Sequence, residues 1–229
     1  MRQLTHKYPL IMDINPKSFI AESYRALRTN IEFSSFDDDL KSIVITSAKP
    51  QEGKTTTAVN MAVAFAQAGK SVVLIDADLR KPSIHNIFSK HNRGGLSNII
   101  VKQYRVNEMI QETHIDNLWV ITSGPVPPNP SEMLSSNNFT EMLDELKERY
   151  SVIIIDTPPA LTVTDAQIAA AKCDGVILVV NAGKAKRDSV VKVKEQLEHV
   201  KARLLGVVLN NAKRKKRNKQ EEYYYESRA

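Results

Sequence analysis

The chain has 229 residues, 42% of them hydrophobic, one cysteine and a formal net charge of +6. This is enough apolar material for one α/β core, since single domains commonly run to about 250 residues, and the lone Cys173 excludes an intramolecular disulfide and a clustered cysteine metal site. With no leader-like N-terminus and no apolar run near the roughly 20 residues of a membrane span, a soluble, cytoplasmic chain is expected. The charge is uneven: residues 213–229 hold seven Lys/Arg and three Glu, so +4 sits there, and the remaining +2 does not call for a nucleic-acid-binding face.

The first helix is predicted after Pro16 and Lys17, with Ser18 as N-cap and an apolar stripe of Phe19, Tyr24, Leu27 and Ile31. Glu22, Arg25 and Arg28 recur every three residues on a second face. Spacing alone favours a solvated face with a Glu22–Arg25 pair worth about 0.2–0.5 kcal/mol; the alternative is arginine forks meeting carboxylates of a neighbouring subunit. Asp37, Asp38 and Asp39 mark a polar turn.

Residues 42–68, SIVITSAKPQEGKTTTAVNMAVAFAQA, read as strand, phosphate loop and helix. The Gly-x-x-x-x-Gly-Lys-[Ser/Thr] pattern is met except at its first glycine, where Ala48 stands. Gly53, Lys54 and Thr55 supply backbone donors at a helix N-terminus, a cation for terminal phosphates and a hydroxyl for bound magnesium. An ordinary strand-to-helix turn with an exposed lysine is the alternative for this loop alone. Gly69 and Lys70 signal the helix end, and an apolar strand over 71–75 follows, ending in Asp76 and Asp78. A second, 152–155, ends in Asp156. Three carboxylates at strand C-termini, converging on Lys54 and Thr55, would make a magnesium nucleotide site.

Between those strands, small helices are expected at 84–88, 96–100 and 106–110, and a strand at 118–122. The stretch Ser123-Gly-Pro-Val-Pro-Pro-Asn-Pro130 is a stiff loop that either walls the nucleotide pocket or only redirects the chain. Ser131 is expected to cap one helix running through Phe139, Leu143 and Leu146. His85, His91, His114 and His199 lack zinc-ligand spacing. A helix opening at Thr164-Asp165, a strand at 175–180, a helix at 188–200 and a strand at 204–209 complete the body. Asn210, ending the last strand on the ligand side, either reads a purine edge or ends the strand for local reasons. The repeated β-α succession predicts an α/β fold: a doubly wound, mainly parallel sheet with helices on both faces.

At Lys213 the composition changes to KRKKRNK and then QEEYYYESRA. A body over 1–212 and a flexible basic, tyrosine-rich tail over 213–229 are expected. Tyr223, Tyr224 and Tyr225 are either a sticky end or phosphoacceptor hydroxyls flanked by acidic residues.

These residues resemble the bacterial tyrosine kinases of capsular and exopolysaccharide production, within the P-loop NTPases of the MinD/ParA-like superfamily. Ser47-Ala-Lys-Pro-Gln-Glu-Gly-Lys-Thr55 is similar to their modified Walker A motif, Val73-Leu-Ile-Asp-Ala-Asp-Leu-Arg-Lys-Pro82 to their Walker A-prime, and Ile153-Ile-Ile-Asp-Thr-Pro-Pro159 to their Walker B. The resemblance implies ATP and Mg2+ as cofactors and autophosphorylation of the tail. It implies a nucleotide-binding set of Lys49, Gln51, Glu52, Gly53, Lys54, Thr55, Thr56 and Asn210, metal contacts from Thr55, Asp76, Asp78 and Asp156, and catalytic roles for Lys54, Asp76 and Asp78. Glu22, Arg25 and Arg28 match the family's Glu-x-x-Arg-x-x-Arg oligomerisation motif, which turns the balance to an interface and a ring-like homo-oligomer. The implied partners are a separate transmembrane activator, which would recruit the chain to the inner membrane face, and protein-tyrosine substrates. Lys49 also falls where MinD and ParA-like ATPases carry a signature lysine. An ATPase switch of that kind, or a noncatalytic ATP-binding module, is the rival reading.

Overall fold

The computed structural model describes residues 10–34 and 40–212. The expected turn at Asp37, Asp38 and Asp39, and the tail with Tyr223, Tyr224 and Tyr225, lie outside the described residues.

Seven strands, β1 (Ser42–Ser47), β2 (Val72–Asp76), β3 (Ile110–Glu112), β4 (Leu118–Ile121), β5 (Val152–Asp156), β6 (Gly175–Asn181) and β7 (Leu204–Asn210), form one sheet in the order β3-β4-β2-β5-β1-β6-β7. Every pairing is parallel except β3 on β4. The strands β1, β2, β5 and β6 are buried at every position, as parallel strands covered on both faces require.

The period of two along each strand divides the core between the faces. Ile43, Ile45, Leu74 and Ile154 pack under α1 (Ile11–Ile14), α2 (Phe19–Ser34), α3 (Lys54–Ala66) and α4 (Ile84–Ile87). Val44, Val73, Ile75, Ile153 and Ile155 pack under α5 (Leu96–Ile100), α6 (Val106–Met109), α7 (Pro130–Ser135), α8 (Asn137–Arg149), α9 (Asp165–Lys172) and α10 (Arg187–His199). The expected doubly wound architecture is present. Among the described residues no helix is long and apolar enough to cross a membrane.

Three local expectations are corrected. The helix expected over 106–110 stops at Met109, because Ile110 turns to extended backbone (φ −73°, ψ 128°) and pairs antiparallel with β4. The single helix expected from Ser131 is two: Pro130, which needs no N–H partner at a first helical position, starts α7 after Asn129, and extended Ser136 breaks the run and caps α8 by accepting from Phe139 N at 3.4 Å. Phe19 is not on the buried stripe of α2. It lies five residues, about 140° around the helix, from Tyr24; Ala21, Tyr24 and Ile31 are buried, whereas Phe19 is 52% exposed. Ser18 does cap this helix, its hydroxyl accepting from Ala21 N at 3.1 Å.

Candidate nucleotide site

Between Ser47 and Lys54 the chain folds back on its own polar groups. The Ser47 hydroxyl donates to the Lys49 carbonyl at 2.8 Å, and the buried Glu52 carboxylate accepts from Lys49 N at 3.0 Å. Gly53, at φ +98°, makes the turn into α3. The side chains of Lys49 and Gln51 are exposed on the outside of this loop, Ala48 is buried, and the Thr56 carbonyl accepts from Asn60 Nδ2 at 2.9 Å.

Lys54 Nζ stands 3.0 Å from Asp78 Oδ2 and 3.6 Å from Asp156 Oδ1. The Thr55 hydroxyl donates to Asp156 Oδ2 at 2.6 Å. Because β2 and β5 are parallel neighbours in register, Asp76 and Asp156 are delivered side by side at their C-terminal ends. Asp76 Oδ2 accepts from Ser83 N and Ile84 N, both at 2.9 Å, which folds the chain after β2 around the carboxylate. The sequence-predicted Lys54, Thr55, Asp76, Asp78 and Asp156 are thus one cluster.

Its electrostatics follow from burial. Burial, then the Asp156 charge, pushes the Asp76 carboxyl up to about 7 against the two amides that hold it. Burial also raises Asp156, against the opposing pull of Lys54 and the Thr55 hydroxyl. For Lys54 burial acts downward, but Asp156, Asp78 and Asp76 together outweigh it and hold the ammonium above its ordinary value. Three carboxylates face Lys54; among the described residues Asp76 Oδ1 is buried without a hydrogen-bond partner, and Asp156 Oδ1 has only the longer ion pair with Lys54 at 3.6 Å. Such oxygens are costly unless a further cation or donor reaches them.

The donor set is all oxygen, which suits Mg2+ rather than a thiophilic metal. Among the described residues no three His, Cys, Asp or Glu side chains close into a preformed metal cage. Mg2+ commonly takes one or two carboxylates and completes its shell with substrate phosphates and water.

Asn210 lies against the phosphate loop. Its Nδ2 donates to the Glu52 carbonyl at 2.9 Å, its Oδ1 accepts from Asn211 N at 2.9 Å, and the amide lies over Gly53 so closely that a Cβ there would fall 1.9 Å from Nδ2. The end of β7 is therefore a brace on the phosphate loop.

One support went unread in the sequence. Two residues beyond Asp78, the Arg80 guanidinium forks onto fully buried Asp165 (Nε–Oδ2 2.9 Å, Nη2–Oδ1 3.0 Å), and the Ser131 hydroxyl donates to the same Oδ1 at 2.6 Å. The loop after β2, the start of α7 after the proline-rich loop, and the start of α9 meet there. The signal was available as a lone arginine beside the Asp-x-Asp pair and an aspartate in a first helical turn.

Glu22, Arg25 and Arg28 lie on α2, away from this cluster, and all have partners within the chain. Arg25 Nη1 pairs with Glu22 at 3.0 Å and its Nη2 donates to the Pro16 carbonyl at 2.6 Å, while Arg28 Nη1 donates to Ala64 O at 3.1 Å. A hollow of about 580 Å³ lined by Ile31, Phe65, Lys70 and Tyr150 opens at the opposite end of the strands and takes no part in the cluster.

Residues 40–210 match the AAA-domain family. The chain is 48% identical over 198 residues to the tyrosine-protein kinase YwqD of Bacillus subtilis (strain 168), covering 86% of this chain and 84% of that one. The chain belongs to the bacterial tyrosine-protein kinases. The structure of this tyrosine-kinase family member superposes on that of the chimerical protein CapA2B2 with a TM-score of 0.86 at 46% identity, over 90% of each chain. The wider fold is that of the MinD/ParA-related P-loop ATPases: the cell division ATPase MinD of Pyrococcus furiosus superposes with a TM-score of 0.65 at 26% identity, over 81% of this chain and 79% of that one. Within that fold the tyrosine-kinase chain carries Asp76 and Asp156 at the ends of β2 and β5, Asp78 in the loop after β2, and Lys54 where the phosphate loop enters α3.

Proposed function

We propose that the chain is an ATP-dependent protein-tyrosine kinase of capsular or exopolysaccharide biosynthesis that phosphorylates its own tail at Tyr223, Tyr224 and Tyr225. The observation that carries this reading is Lys54 Nζ set between Asp78 and Asp156 on a phosphate loop, in a chain of the tyrosine-kinase family.

In this reading Lys54, the amides of Gln51, Glu52, Gly53 and Thr56 and the exposed side chain of Lys49, whose own amide is held by Glu52, bind the β and γ phosphates, with Asn210 acting through its brace on Glu52. Thr55, Asp78, Asp156 and Asp76 would hold Mg2+. ATP supplies the phosphoryl group, and Mg2+ neutralises charge on its phosphates. The chain's own contribution is alignment and charge stabilisation by buried side chains. Asp76 accepts the tyrosine proton: it stands at the C-terminal end of β2 beside Asp156, and its Oδ1 has no hydrogen-bond partner among the described residues.

The body over 1–212 acts as the kinase and 213–229 as its acceptor tail. Glu22, Arg25 and Arg28 exchange partners with a neighbouring copy in a ring-like homo-oligomer, in which crowded tails favour transfer between subunits. A transmembrane activator holds the cytoplasmic kinase at the inner membrane face. Residue-resolved mass spectrometry after incubation with ATP and Mg2+ tests the reading. Phosphate is expected on the tail tyrosines; ATP binding without any phosphotyrosine would overturn it in favour of a noncatalytic module.

A further inference from the structure

The nucleotide site is acidic in its own right, with three carboxylates against Lys54. The segment that must enter it, Gln220-Glu-Glu-Tyr-Tyr-Tyr-Glu226, carries three more carboxylates around its tyrosines. Beside the basic run 213–219, these carboxylates are the part of the tail that like charge at the site opposes, and a basic rim would offset that. The rim does carry the opposite sign. Lys81 stands three residues beyond Asp78, in the loop that follows β2, and Lys49 on the phosphate loop. Lys184 and Lys186 follow the C-terminal end of β6 and Arg187 opens α10; this segment is tied to the site's side of the sheet because Ala182 N donates to the Asn210 carbonyl at 2.8 Å and Asn210 in turn braces Glu52. All five side chains are exposed, and none has an ion-pair partner among the described residues. The exposed acidic side chain beside them is Asp188, and Glu52 is buried on Lys49 N.

We infer that Lys81, Lys184, Lys186 and Arg187 form an acceptor-docking rim that selects tyrosines flanked by carboxylates, with the chain's own Gln220–Glu226 segment as its occupant. The inference rests on the kinase reading and adds the class of acceptor to it. Besides charge, the placement of the chain supports this occupant. The described residues end at Ala212, two beyond Asn210 on the site's own side of the sheet, and the eleven residues to Tyr223 give a reach of up to roughly 36–40 Å at about 3.3–3.6 Å each. Lys49 belongs to the same rim but also to the nucleotide loop, so it is left intact in the test.

The test presents the full-length chain with two synthetic peptides in trans, QEEYYYESRA and the same peptide with its three glutamates replaced by glutamine, at saturating ATP and Mg2+. The glutamate peptide should be phosphorylated with a kcat/KM about tenfold higher, the order expected when several exposed charge pairs act together, and the advantage should fall as salt is raised. In a Lys81→Gln/Lys184→Gln/Lys186→Gln/Arg187→Gln variant the advantage should vanish through KM, with the glutamine peptide phosphorylated as by the parent chain. Anisotropy of the fluorescein-labelled glutamate peptide should show the same loss of binding without nucleotide. Equal use of both peptides by the parent chain, or an advantage that survives in the variant, overturns the rim and leaves the kinase intact. No phosphate on either peptide or on the tail overturns the kinase reading and the rim with it.

Discussion

Arg80 and Asp165 form a two-pronged ion pair, 2.9 and 3.0 Å, between the loop that carries Asp78 and the first turn of α9. Asp165 is fully buried while the Arg80 side chain is 38% exposed, so the pair pins an irregular loop to a rigid helix from the solvent side. Arg80→Met should leave the Asp165 charge with Ser131 alone. The expected cost is about 2 kcal/mol of stability, a fall in Tm of roughly 4–8 °C for a chain of this size. A Tm within 1 °C of the parent's, by calorimetry at neutral pH, would mean that the pair carries no weight in the fold.

The Asp76 carboxyl predicts an unusual pH dependence. Its folded value, about 7, lies above the ordinary 3.8, so the folded chain binds the extra proton between these values. Stability from this group is full below about pH 4 and is lost as pH rises through about 7. Without nucleotide or Mg2+, Asp76→Asn should therefore melt higher than the parent at pH 8, and the gap should close towards pH 4.5. A gap that widens on acidification would contradict the assignment.

Gly53→Ala meets two obstacles: a left-handed φ of +98° and Asn210 Nδ2 at 1.9 Å from the new Cβ. Strain of the first kind costs on the order of 1–3 kcal/mol. Nucleotide binding should weaken at least about tenfold, and Asn210→Gly in the same chain should restore only part of it, since the contact is relieved and the φ is not. Isothermal titration of ATP with Mg2+ on the two variants would decide between full, partial and no rescue.

Charge reversal on α2 separates assembly from folding if the residues are taken one at a time. Arg28 anchors α2 to the Ala64 carbonyl, so Arg28→Glu should lower Tm as well as mass. Among the described residues Arg25 is bound to Glu22 and the Pro16 carbonyl, both local to α2. Arg25→Glu should lower the oligomer mass in light scattering with Tm nearly unchanged, and an unchanged mass would sink the interface role.

Which features could be read from sequence follows from their physical range. The phosphate loop, the Asp-x-Asp pair after β2 and Asp156 after β5 were legible because each sits within a few residues of an all-apolar strand whose end it marks. Register then does what no motif states: it sets Asp76 beside Asp156. β3 was missed because three residues are too few to show a period of two. Phe19 was misassigned because an apolar residue in a helix says nothing of its angle until its neighbours are counted. The Arg80–Asp165–Ser131 contact joins positions 34 to 85 residues apart in sequence, and only the packing of α7 on α9 brings them together.

The central claim is tested most directly by single-turnover transfer from γ-labelled ATP in the parent chain and in Lys54→Met, with phosphate mapped residue by residue. The parent should place label on Tyr223, Tyr224 and Tyr225. The folded Lys54→Met chain should transfer at least about 10²–10³-fold more slowly, the loss typical of removing one donor that stabilises developing charge. Transfer at the parent's rate by folded Lys54→Met, or no phosphotyrosine from the parent at saturating ATP, would contradict the account.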